Sequence, residues 1–229
     1  MHNSNKGFFS IPKKKPTKIF SNILLIVVIL LIIHSVINGI IRTRNTEIVN
    51  SLLNIAEPIQ ETTSGEITMS SGVKIEKLAT YSITGRVVST HTFFNPINPM
   101  NRFSPRDISI VWGALSDPEV DKDIRWGRDR IALGPRFLAY VTNADAHRKY
   151  GDIDIMLSNN HMIPANKKIR RQLMAIKKKD FVRIEGYLVS ASFNSSGQTE
   201  TVRSSLSRTD TGAGACELIY VTKITWLRT

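Results

Sequence analysis

The chain has 229 residues, 41% of them hydrophobic, a net charge of +12 and one cysteine. One cysteine excludes a disulfide framework. The charge invites a nucleic-acid partner, but seven of the 31 Lys and Arg lie in the acid-free residues 1–44, leaving 24 bases against 19 acids elsewhere. The basicity is therefore mostly a topology signal, and nucleic acid is not the expected partner.

Residues 19–41 form one apolar run, preceded by Lys13, Lys14, Lys15 and Lys18 and followed by Arg42 and Arg44. As a helix rising about 1.5 Å per residue, the run exceeds a hydrocarbon core of about 30 Å. A cleaved signal peptide would have a shorter apolar region and a small-x-small site. Here Val36, Ile37 and Asn38 interrupt the small residues. An uncleaved single-pass anchor is expected, and the basic flank places residues 1–18 in the cytoplasm and the rest in the periplasm.

Residues 42–77 read as a helical stalk followed by a linker. Ile48, Leu52, Ile55 and Ile59 fall at helical spacing, and the stretch after Pro58 is rich in Thr, Ser and Gly. Residues 78–229 then suffice for one ordinary domain. Its pattern is mainly β. Expected strands cover 81–90, 108–112, 137–142, 182–190 and 218–226, with a short apolar run at 153–157. A short helix is expected after Asp117. The longer helix within 164–178 carries Ile169, Leu173 and Ile176 on one face, Lys and Arg on the others, and Asn166 as its cap. Two strands echo each other around Gly85 and Gly186. The expected fold is thus a transmembrane helix plus an α+β, mainly-β domain, an OB-like small barrel with one helix between strands.

Chemistry-bearing residues lie in the connections. Residues 92–106 include Phe93, Phe94, Phe103 and three prolines, a long loop expected to frame a ligand face. Ser158, Asn159, Asn160 and His161 read as a turn before the basic helix, able to hold a polar ligand or to present His161 as an acid or base. Residues 207–217 turn through Gly212 and Gly214, and Arg208 and Asp210 can brace that loop. Asp210, Thr211 and Gly212 spell an aspartic-protease motif, but neither the apolar strand before it nor a second lobe after it is present. Cys216 reads as a small buried hydrophobe or as a nucleophile partnered by His161. His91, His147 and His161 lack metal-ligand spacing, so neither metal nor cofactor is expected. The basic helix is a solvated face, or one facing anionic lipid headgroups.

Trp112-Gly113, residues 158–165 (Ser-Asn-Asn-His-Met-Ile-Pro-Ala), residues 182–189 and residues 204–217 together resemble a group of exported or membrane-anchored proteobacterial proteins. The resemblance implies an address and an architecture but no reaction. It marks His161, Arg208, Asp210 and Cys216 as motif positions. The expected function is a non-catalytic periplasmic binding or assembly domain with an envelope protein partner. Its binding face would comprise Phe93, Phe94, Phe103, Asn160, His161, Arg208 and Asp210. The alternative is a small envelope hydrolase using His161 with Cys216 or Asp210.

Overall fold

The computed structural model describes residues 18–44, 46–48, 55–128, 136–207, 209–210 and 216–228. The chain divides into two units, residues 1–37 and residues 38–229. Helix α1 (Lys18–Arg44) contains a 21-residue stretch, Asn22–Arg42, of mean hydropathy 2.9, long and apolar enough to cross a membrane.

After α1 come strands β1 (Thr46–Ile48), β2 (Ile59–Thr62), β3 (Glu66–Thr68) and β4 (Lys74–Thr92). Helix α2 (Pro99–Phe103) and β5 (Arg106–Val111) follow, then 3-10 turns at Ala114–Ser116 and Pro118–Lys122. The hairpin of β6 (Ile124–Arg128) and β7 (Leu138–Thr142) leads through α3 (Ala146–Tyr150) to β8 (Leu157–Pro164). Helix α4 (Lys167–Ala175), β9 (Phe181–Ser195), β10 (Gln198–Arg203) and β11 (Glu217–Arg228) complete the order. The molecule is mainly β, with an apolar N-terminal helix and a few short helices, as its sequence predicts.

Strand pairing runs β11–β8–β5–β4–β9, and β9 pairs again with β11, so these five strands form a continuous circuit of hydrogen-bonded neighbours. Only β8 and β11 are parallel within it. The main apolar cluster includes Ile83, Ile108, Ile110, Met162, Ile184 and Ile219, with Ile169 and Leu173 of α4 packed against it. Each such side chain contributes about 1.5–3 kcal/mol when fully buried. The Asn166 side chain accepts from the Ile169 amide and starts α4, as expected of a cap. Both echoing glycines lie where strands come too close for a side chain. A Cβ on Gly85 would meet the Val111 carbonyl oxygen at 2.3 Å, and one on Gly186 the Tyr220 oxygen at 2.1 Å. The β9–β10 turn uses Ser196 and Gly197 at φ +53° and +83°, as a two-residue hairpin requires.

Three expectations are corrected. The described residues of the stalk and linker are not helical beyond Arg44: Thr46–Ile48 pairs with β11, Ile55 bridges to Gly113, and β2 and β3 pair with β4. Leu52 lies outside the described residues. Ser158, Asn159, Asn160 and His161 are not a turn but the first half of a buried strand. The 92–106 connection contains the short helix α2, capped by the Asn98 side chain.

Candidate functional site

The polar run of β8 has its explanation in the alternation of side chains along a strand. Ile108 and Ile110 of β5 and Met162 of β8 face the main apolar cluster. Asp107 and Ser109, with Asn159 and His161, therefore face the other way. Register sets Asp107 opposite His161 and Ser109 opposite Asn159. On the far side of β8, Leu218 of β11 stands opposite His161, which brings Cys216 to the same row just before that strand.

Three side chains meet there. His161 Nδ1 lies 2.9 Å from Asp107 Oδ1, out of line for a hydrogen bond but close enough for an ion pair. Cys216 lies close enough to His161 to favour the charged form of its imidazole. Burial pulls the imidazole pKa down, but Asp107 and Cys216 more than offset it, and it stands at about 9. His161 exposes only 8% of its side chain and Asp107 none, whereas Cys216 is part-exposed. The arrangement is a carboxylate, an imidazole and a thiol side by side, with Cys216 the part-exposed member.

Burying a carboxylate completely is costly unless cations compensate it. Arg136 Nη1 donates to Asp107 Oδ1 at 2.9 Å, and its Nη2 donates to Asn101 Oδ1 and the Ser104 carbonyl at 2.6 and 3.0 Å. Its guanidinium stacks on Phe93 at 3.9 Å from the ring centre. Arg128, at the end of β6, donates to the Asp107 carbonyl and to Asn159 Oδ1. Burial lowers both guanidinium pKa values, while Asp107 opposes the shift. Asn159 is fixed from both ends: Ser109 Oγ and Arg128 donate to its oxygen, and its Nδ2 donates to the Arg136 carbonyl at 2.6 Å. That same Nδ2 lies 3.5 Å from Cys216 Sγ. His91 of β4 stands opposite Asp107, and burial followed by the neighbouring Arg128 lowers its pKa.

Of the expected binding-face residues, only His161 lies in this cluster, beside Cys216, its expected partner in the hydrolase alternative. Phe93 forms its outer wall through Arg136, and Phe94 projects into solvent at 86% exposure. Phe103 is buried against Phe193, with ring centres 5.0 Å apart, and so fills core. Asn160 faces the interior, where its Nδ2 donates to the Ile108 and Ser158 carbonyls. Asp210 is exposed and accepts from Ser205 Oγ. Arg208 lies outside the described residues. Cys216 is not the buried hydrophobe that its residue type suggests.

Asp107, Arg128 and Arg136 escaped the sequence reading. Among the described residues, no group of three or more His, Cys, Asp or Glu side chains is arranged to hold a metal ion. Compared with protein-family models, curated proteins and solved structures, the chain matches none.

Proposed function

We propose that residues 38–229 form a thiol-dependent acyl hydrolase or acyltransferase. Cys216 is the nucleophile, His161 the proton carrier and Asp107 the group that orients and charges the imidazole. The observation that carries this reading is the juxtaposition of Cys216, just before β11, with His161 of β8 and Asp107 of β5, the cysteine part-exposed and the carboxylate buried. The geometry favours it over a non-catalytic binding module, because a purely structural histidine would not need to join a buried carboxylate to a part-exposed thiol. It also replaces Asp210 with Asp107 as the acidic member.

In the first half-reaction the proton of the Cys216–His161 pair already sits on the charged imidazole, and the Cys216 sulfur bonds to the acyl carbon of an ester, thioester or amide. The carbonyl electron pair moves onto oxygen, near the Arg128 guanidinium and the Asn159 amide, which stabilise developing negative charge. The intermediate then collapses: the leaving group departs with the His161 proton, and a thioester remains on Cys216. In the second half, water or another nucleophile gives its proton to His161 as it attacks the thioester. The sulfur leaves with its bonding pair, His161 keeps that proton, and the acyl product is released. Asp107 holds the imidazolium in both halves.

The five-strand circuit, with its parallel closing pair and α4 between β8 and β9, supports an OB-like barrel. The basic flank of α1 supports an inner-membrane anchor with residues 38–229 in the periplasm.

The test is incubation of the detergent-solubilised full chain with p-nitrophenyl acyl esters. The expected result is a burst of nitrophenol and an acyl group on Cys216 by mass spectrometry. Cys216→Ala abolishes both, and His161→Ala slows the burst by about 10²–10⁴-fold. Asp107→Asn slows it while the thiol remains alkylatable. If no ester, thioester or amide acylates Cys216, and iodoacetamide alkylates it equally fast with and without His161, the reading is wrong.

A further inference from the structure

The loop between β4 and β5 ends in a tip that the acyl-transfer site does not use. Phe94 is 86% exposed and Ile97 84%, on either side of Pro96. Large apolar side chains so exposed are unfavourable in water unless another apolar phase receives them. Beneath the tip lies a cleft of about 510 Å³, lined by Phe93, Phe94, Pro96, Arg102, Arg170 and Met174 among others, so the loop and α4 share one surface.

The charge on that surface has one sign. Exposed Arg102 lies beside the tip, and Lys167, Lys168, Arg170 and Arg171 are the exposed residues of α4. Residues 92–105 and 165–179 contain no Asp or Glu. Helix α4 buries Ile169 and Leu173 inward, so its outer face is cationic rather than amphipathic. Two apolar side chains at the point and a band of cations behind them match a bilayer edge, where acyl chains lie beneath anionic headgroups.

We infer that the Phe94–Ile97 tip and the outer face of α4 dock on a phospholipid bilayer carrying anionic headgroups. An acidic protein would be matched by the cations alone, whereas the bilayer also accounts for the two projecting apolar side chains. The chain's own apolar helix Asn22–Arg42 gives it a reason to be at a membrane. The surface is independent of the acyl-transfer reading, since neither Phe94 nor the α4 cations touch the Cys216 cluster.

The experiment reconstitutes the full chain carrying Phe94→Trp in liposomes containing brominated-chain lipid. The parent chain provides the baseline for Trp112, Trp126 and Trp226. The expected quenching of the new tryptophan is about threefold stronger with phosphatidylglycerol than with phosphatidylcholine alone, and it falls as salt is raised. Reversing Lys167, Lys168, Arg170 and Arg171 to Glu removes the difference. These residues are exposed, and unchanged thermal unfolding of the reversed variant verifies that the fold survives. Absence of quenching in either lipid overturns the inference, and an acidic protein partner then becomes the reading of the cations. Quenching that ignores headgroup charge and survives the reversal also overturns it.

Discussion

His161 is almost wholly buried yet more basic than a free histidine, because Asp107 and Cys216 reward its charged form. Its folded pKa, about 9, lies above the ordinary 6.5. The stabilisation from this pairing is therefore complete below pH 6.5 and is lost as the pH rises through about 9. Thermal unfolding of the full chain across this range is expected to show a declining Tm that His161→Asn flattens. A Tm that climbs over the same interval contradicts the pairing. At this scale the sequence was half legible. His161 and Cys216 stood out by residue type, since few side chains can exchange protons near neutrality. Asp107 did not, because its partners Arg128 and Arg136 come from a distant hairpin and no local pattern announces them. Phe103 misled for the opposite reason: a phenylalanine beside prolines reads as loop, and only tertiary packing on Phe193 makes it core.

Strand crossings explain why two glycines sit within otherwise regular β patterns. A methyl group on Gly186 would stand 2.1 Å from the Tyr220 oxygen, well inside contact distance, so β9 and β11 would have to separate. Gly186→Ala is expected to destabilise the fold by at least about 1–3 kcal/mol, read as a lowered urea midpoint. Gly127→Ala is the control, because its nearest atom, the Ala139 oxygen, is 3.7 Å away. Equal midpoints for the two variants remove the close-approach argument. The echo between the glycine-containing strands was visible in the sequence because the same short pattern recurs in both. Strand β8 was not, since Ser158, Asn159, Asn160 and His161 lack an apolar face altogether. One face meets its hydrogen-bond partners inside the sheet circuit, the other beneath Arg128 and Arg136. The stalk failed similarly. Ile48, Ile55 and Ile59 satisfy a helical period, but their partners are remote strands that no local spacing encodes.

For the whole molecule, the proposed topology makes a spatial prediction. In spheroplasts, protease added from outside is expected to digest residues 38–229 while an epitope fused before residue 18 stays protected. The reverse pattern contradicts the basic-flank argument. The apolar N-terminal helix was the most legible feature because hydrophobicity over that length needs no tertiary partner. The site is the opposite case. Its carboxylate and imidazole arrive on β5 and β8 and its thiol just before β11, which is the last strand of the circuit to leave the ribosome. Until β11 inserts between β8 and β9, the sulfur has no imidazole beside it. A chain made from its N-terminus therefore carries the proposed chemistry disassembled until the last strand of the circuit is in place.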